Sequence, residues 1–522
     1  MQTYYQFSVF LTILSVILFI VLIFSSVSTS PRNLNHVPPR DNRKFLSFEN
    51  FQNDNNAFAN SQNQCQNQSQ NQSTNQSPNQ SPNQSPNQSQ NQSPNQSQNQ
   101  SPNQLPNQSP NQSPNQSPNQ LPNQSPNQSL NQSLIPNNSK YQSIHDKITN
   151  FMKTYDIPSG QCCISINNQI IYNDNFGYKN PKSKTDPITS QTTFRIASVS
   201  KTLTATGIYL LIDRNLLMLN DNPFRILANG GLIDLNNIYD HRLFDITIQN
   251  LLQHTGGWDE DIGPEEGVGD PMHDALRLAN YDRNKLTTSV DIIRYIITKP
   301  LNFNPGSKFV YANIGYNILA RVIEVISGDK YEAFIKKNIW NRIGVNDLAF
   351  IGSDRPDQQR PSEPIYYDGE TDITNTSYSI NPFYSQRVSR AYGQTMLLSV
   401  NDATGGWVCT ARDLNLFGLA LINGTLSKIA FNMITKKPSY LSTNDQNDKN
   451  KQFFGGGMLN DPTTPCGLTL THFGGQWGTL SMIMLIPDKK MCVTAIFNYF
   501  NFQKLNQMTV ELPNIYYDLC SK

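Results

Sequence analysis

Charge is scarce in this chain, and neither sign dominates. Lysine and arginine number 40, aspartate and glutamate 39, for a formal net charge of +1. Bulk electrostatics therefore selects neither nucleic acid nor an acidic partner. No basic run with interleaved aromatics appears, so nucleic-acid binding is not expected. Cysteine is sparse as well, seven in 522 residues. No two are spaced as Cys-x-x-Cys, which leaves zinc or thioredoxin-like chemistry without support. The six histidines are scattered and no His-Glu-x-x-His occurs, so no metal site is expected. A phosphate-cradling Gly-x-x-x-x-Gly-Lys-Ser/Thr loop, a dinucleotide fingerprint and a Gly-x-Ser-x-Gly elbow are all missing. No cofactor is expected.

Apolar residues are nearly absent from residues 61–138, where Asn-Gln-Ser-Pro repeats with Gln or Leu sometimes replacing Pro. Such a stretch has nothing to offset the entropy of ordering, and its prolines block helix and sheet. It reads as a disordered spacer, with a glycosylated stalk as the functional alternative. Ahead of it, residues 7–24 (FSVFLTILSVILFIVLIF, from Phe7 to Phe24) are long and apolar enough to span a bilayer. No basic residue precedes them, which favours a membrane anchor over a cleaved signal peptide. Arg32, Arg40, Arg43 and Lys44 follow the run and would hold the body in the cytosol. Asn-x-Ser/Thr acceptor sequences at Asn137, Asn375 and Asn423 point the other way. The expectation is a single-pass membrane protein with a luminal or extracellular body, the alternative being secretion after cleavage. Three regions result: an anchor or signal segment at 1–30, a spacer at 31–140, and a folded body at 141–522.

The body carries one stretch around which the rest is organised, Phe194-Arg195-Ile196-Ala197-Ser198-Val199-Ser200-Lys201. Ala205, Ile208, Leu211 and Ile212 follow at helical spacing and would face a core. Ser198 and Lys201, three apart, would share one face of that helix. A serine hydroxyl is a weak nucleophile until a neighbouring base takes its proton, and a lysine one turn away can be that base. A second Ser-x-x-Lys, Ser327 to Lys330, is rejected, because Gly328 reads as the end of the helix that precedes it.

Around that stretch the chain mixes helices and strands. Tyr141, Ile144, Ile148, Phe151 and Met152 mark an amphipathic helix, and residues 161–166 and 169–172 read as strands around Asn167-Asn168. Adjacent Cys162 and Cys163 would point to opposite faces of their strand, as small core residues. His254-Thr255-Gly256-Gly257 is a glycine-rich turn in which His254 reads as structural. A loop-rich piece over 258–282 could be a lid. Tyr311 and Asn313 sit on a short strand just before a helix over 314–326. Residues 352–389 read as a polar surface insertion. Thr410 is a candidate N-cap for a helix ending near Leu421. Strands over 468–472, 480–486 and 491–497 have Gly474-Gly475 and Pro487-Asp488 at their connections. This order indicates an α+β body with an antiparallel sheet flanked by helices.

Three segments in order, Ser198-Val199-Ser200-Lys201, Tyr311-Ala312-Asn313 and His472-Phe473-Gly474, together with the flanking Leu251 to Gly257 and Gly405-Gly406-Trp407, resemble the motifs of the serine β-lactamase and penicillin-binding-protein family, most closely its class C and D-alanyl carboxypeptidase-like branch. The resemblance implies a β-lactamase/transpeptidase-like fold with a mainly helical subdomain. It also implies a serine hydrolase working through an acyl-enzyme on small-molecule or peptide esters or amides. Ser198 would be the nucleophile, with Lys201 and Tyr311 sharing the base and acid roles; which of the two takes the serine proton stays open. Asn313 would bind Lys201 and a substrate amide. The backbone N–H groups of Ser198 and Gly475, beside Gly474, would form the oxyanion hole. His472 stands where many relatives have lysine, and imidazole carries a fixed charge only below about pH 6.5, which weakens the case for a β-lactamase proper. The competing reading is a catalytically silent, membrane-anchored binding or surface protein that retains the fold.

Overall fold

In the computed structural model, residues 139–259, 272, 284–367, 377–393, 397–501 and 504–520 are described. The apolar run at 7–24, the Asn/Gln-rich spacer and most of the 258–282 loop lie outside them. Among the described residues no helix is long and apolar enough to cross a membrane.

The body opens with helix α1 (Ser139–Thr154) and the hairpin β1 (Ser159–Ile166) and β2 (Gln169–Gly177). Asn167 and Asn168 turn that hairpin with φ of +50° and +67°, the left-handed pair that matches strand twist in a two-residue loop. Three short strands, β3 (Phe194–Arg195), β4 (Phe350–Ile351) and β5 (Trp407–Cys409), form a small sheet of order β3-β5-β4. The C-terminal part supplies β6 (Phe453–Phe454), β7 (Leu459–Thr464), β8 (Gly467–Gln476), β9 (Thr479–Ile486) and β10 (Met491–Phe497). With the first hairpin they make a seven-stranded antiparallel sheet of order β2-β1-β10-β9-β8-β7-β6.

Every residue of β9 and β10 is buried, as expected of central strands covered on both faces. On one face lie α1 and the last long helix (Leu505–Tyr517), packing Ile144, Ile148, Phe151, Leu512 and Tyr516 against Met482, Met484 and Val493. Helix Ala411–Ile422 covers the other face, its N-terminus capped by Thr410, whose side chain accepts from Asp413 N–H. Cys162 joins the first of these cores and Cys163 the second, so the adjacent pair does point to opposite faces.

The helical portion is built around Asn313–Ser327, buried from Ile314 to Ile323 and contacted by Ser200–Asp213, Pro223–Asn229, Ile248–Leu252 and Tyr331–Ile335. That central helix stops at Gly328, φ +75°, the left-handed cap expected there. Two expectations change. Gly474 and Gly475 lie inside β8, and the turn is made by Trp477-Gly478. The insertion after Gly352 is not merely a surface loop: Asp354, Glu363, Tyr366, Val388 and Tyr392 are buried.

Candidate active site

Strand β3 delivers the chain to the site and is pinned on three sides. Ile196 N–H donates to Trp407 O at 2.9 Å. Ser481 Oγ on β9 donates to Ile196 O at 2.6 Å, and Trp407 N–H donates to Ser200 Oγ at 3.2 Å. Between these pins Ala197 takes φ +45°, a conformation a residue with a Cβ holds only when its surroundings impose it. Ala197 opens a single 3-10 turn, Ala197–Val199, that precedes helix Ser200–Asp213. Ser198 therefore sits one turn ahead of the α-helix rather than on its first turn. The three-residue spacing still works, because both turns bring i and i+3 to the same side.

Lys201 is fully buried, and its Nζ donates to Ser198 Oγ at 3.1 Å and to the Thr404 carbonyl at 2.9 Å. Ser198 itself is half-buried. The Tyr311 ring centroid lies 4.9 Å from Lys201 Nζ, and that of Tyr316 6.0 Å away. Tyr311 belongs to an extended approach rather than a paired strand. Asn313, half-buried, begins the helix that follows. Serine, lysine and tyrosine, the last over a hundred residues away in sequence, thus meet around one amine.

From the sheet side, β8 closes on the serine turn. A Cβ at Gly474 would lie 2.3 Å from Ile196 O and 2.3 Å from Ser481 Oγ, so only glycine lets the strand pass this near. Gly475 is exposed beside it and registers with Leu480. His472, two residues earlier, is buried. Its Nδ1 lies 2.7 Å from the Phe473 carbonyl; a carbonyl only accepts, so Nδ1 carries the proton. Burial, then the nearby Lys201, push its pKa down to about 3. His472 is thus a neutral imidazole.

Several participants had no sequence signal. Thr404 acts through its backbone carbonyl, which no side-chain pattern reveals. Phe454 sets its edge against both His254, at 4.8 Å, and His472, at 5.8 Å. Arg195 is buried behind the nucleophile, its guanidinium carbon 4.2 Å from the Tyr366 ring centroid and 5.1 Å from that of Tyr392. Its Nη1 donates to Ala391 O and its Nη2 to Ser353 O. Tyr366 O–H accepts from Arg195 N–H at 3.0 Å and donates to Glu363 at 2.8 Å. Among the described residues no group of three or more His, Cys, Asp or Glu side chains could hold a metal ion.

Sheet, helical hub and Ser-Lys-Tyr cluster together define a recognisable class. Residues 144–510 match the Beta-lactamase family model, and the chain belongs to that family. It is similar to Penicillin-binding protein 4* of Bacillus subtilis, 31% identical over 180 residues, covering 34% of this chain and 35% of that protein. The putative penicillin-binding protein PbpX of the same organism is 28% identical over 287 residues, 54% of this chain and 59% of that protein. The chain thus spans between about a third and three fifths of the length of these curated relatives. Its fold is shared with the octameric penicillin-binding protein homologue from Pyrococcus abyssi, at TM-score 0.51 and 22% identity over 68% of this chain and 73% of that one. It is shared as well with EstCE1, a hydrolase with promiscuous acyltransferase activity, at TM-score 0.54 and 19% identity over 72% of this chain and 99% of that one.

Proposed function

We propose that the body is a serine hydrolase that cleaves esters or amides through an acyl-enzyme on Ser198. The observation that carries the reading is the 3.1 Å contact between Ser198 Oγ and the Nζ of a fully buried lysine. Membership of the Beta-lactamase family supports it, as do relatives described as penicillin-binding proteins. In the acylation step the Ser198 proton passes to the Lys201–Tyr311 pair while Oγ bonds to the substrate carbonyl carbon. N–H groups of Ser198 and Gly475 receive the oxyanion. Tyr311 hands that proton on to the leaving group as its bond to carbon breaks. Water then attacks the acyl carbon with the proton path reversed, and Ser198 is regenerated. Asn313 orients Lys201 and a substrate amide.

The favoured substrates lack a free carboxylate beside the scissile bond. A neutral, buried His472 whose Nδ1 proton is committed to Phe473 O supplies no fixed cation at the position where a charged lysine would bind one. We propose further that residues 7–24 anchor the chain in a membrane and that the body is exported. The disulfide Cys466–Cys520 supports an oxidising compartment.

The test is a phosphonate probe together with p-nitrophenyl esters, a D-Ala-D-Ala peptide and a chromogenic β-lactam, each run on wild type and Ser198→Ala. Labelling and ester turnover are expected in wild type only, with the carboxylate-bearing substrates turned over more slowly. Folded wild type that neither takes the probe nor turns over any substrate would refute the assignment.

A further inference from the structure

We infer that His254 is a positioning residue that fixes Tyr311 against Lys201, beyond its place in a glycine-rich turn. The inference rests on the acyl-transfer reading above.

The geometry surrounds Tyr311 from both sides. His254 O accepts from Val310 N–H at 3.0 Å. His254 Nδ1 lies 3.1 Å from both the N–H and the carbonyl oxygen of Ala312. One residue therefore holds the backbone immediately before and after Tyr311. Its ring also stacks on the Tyr311 ring, with centroids 4.3 Å apart and planes 26° apart. Backbone and ring of the tyrosine are both set by this one contact.

His254 is in turn held rigidly. It is buried, with φ +54°. The Tyr316 ring leans on it at 5.0 Å and Phe454 meets it edge-on at 4.8 Å. Capping of helix Ile248–Leu252 by Thr247 fixes the approach to the turn. The Nδ1 edge meets both the N–H and the carbonyl of Ala312, so it engages that residue's backbone with either tautomer. The ring's Nε2 is buried without a hydrogen-bond partner. Burial, then Lys201, keep the ring uncharged.

Two substitutions separate the parts of this role. His254→Asn places an amide oxygen near the Nδ1 position and tolerates the left-handed backbone, but loses the stacked ring. His254→Phe keeps a ring and loses the nitrogen that meets the Ala312 backbone. Each is made alone and with Tyr311→Phe, and read by phosphonate labelling rate, kcat and KM on a p-nitrophenyl ester, with Tm as the check on folding. Expected is a loss of at least about tenfold in kcat for His254→Phe at a KM within about twofold of wild type, the signature of lost transition-state interactions. His254→Asn should recover part of that loss, and either change should cost less than about threefold once Tyr311 is already phenylalanine. If His254→Phe does not fold, the decision falls to His254→Asn, whose loss must shrink in the Tyr311→Phe background. Equal losses in both backgrounds, or wild-type kcat in a folded His254 variant, overturn the inference. Failure of wild type itself to react with probe or ester would instead fall on the acyl-transfer reading.

Discussion

The residue that most constrains the site is one with no side chain. Gly474 lets β8 come within contact of Ile196 O and Ser481 Oγ, and so sets the distance between the serine turn and the sheet. Gly474→Ala forces that contact apart. We expect a loss of about 1–3 kcal/mol in stability, the usual cost of overpacking. We also expect about 100-fold lower kcat, as for a displacement of about 1 Å at a reacting centre. Urea titration and ester kinetics on the purified variant check both; unchanged kcat would mean that β8 does not set the geometry. His472 gives a pH prediction. Its folded pKa, about 3, lies below that of an unfolded histidine, about 6.5. Between these values the unfolded chain binds a proton that the folded chain does not, so stability falls as pH falls from about 6.5 towards 3. His254 is shifted in the same direction and adds to the effect. Urea midpoints at pH 7.5, 6 and 5 should decline, and His472→Gln should decline less. A variant with the wild-type slope would show that this imidazole is not buried neutral.

At the scale of elements, the insertion after β4 is attached to the nucleophile through Arg195. The guanidinium sits between Tyr366 and Tyr392, and the buried carboxyls of Asp354 and Glu363 feel its charge. Burial raises both, Asp354 to about 6, and Arg195 acts against that rise. Arg195→Met keeps much of the volume and removes the charge and both carbonyl contacts. It should destabilise by about 3–5 kcal/mol, as when one partner of a buried charge group is removed. Limited proteolysis should then cut first between residues 352 and 393 rather than in the sheet. A variant as resistant as wild type would show that the insertion holds its place without the arginine.

For the molecule as a whole, a disulfide ties the last long helix to the sheet. Cys466, between β7 and β8, is bonded to Cys520 beyond the last long helix, 54 residues on. The bond holds that helix over the face of the sheet also covered by α1. Cys466→Ser with Cys520→Ser should cost about 2–4 kcal/mol, measured by urea denaturation, with ester turnover at 25 °C retained because the pair lies away from Ser198. The remaining cysteines of the described body, Cys162, Cys163, Cys409 and Cys492, are buried thiols. A thiol titration of the unfolded body with its disulfide intact should therefore find these four and no more.

Local pattern settled much of this protein. Periodicity placed α1, which buries one face, and apolar runs bounded by turn residues placed the first hairpin and the C-terminal strands. Thr410 and Gly328 marked helix ends through chemistry confined to a few neighbouring atoms. Ser198, Lys201, Tyr311, Asn313 and His472 were legible as motifs. What only the folded chain decided depends on contacts between distant segments. Ser198 sits on a 3-10 turn because β5 and β9 pin Ile196. Gly474 is an interior strand residue because the serine turn presses on it. Arg195 is buried against Tyr366, which bonds Glu363 in a segment that reads in sequence as a polar surface insertion. His254 holds Tyr311 from 57 residues away, a relation carried by one ring nitrogen, one carbonyl and a stacked face. Pattern records what each segment buries; which segments meet is set by the packing of the whole.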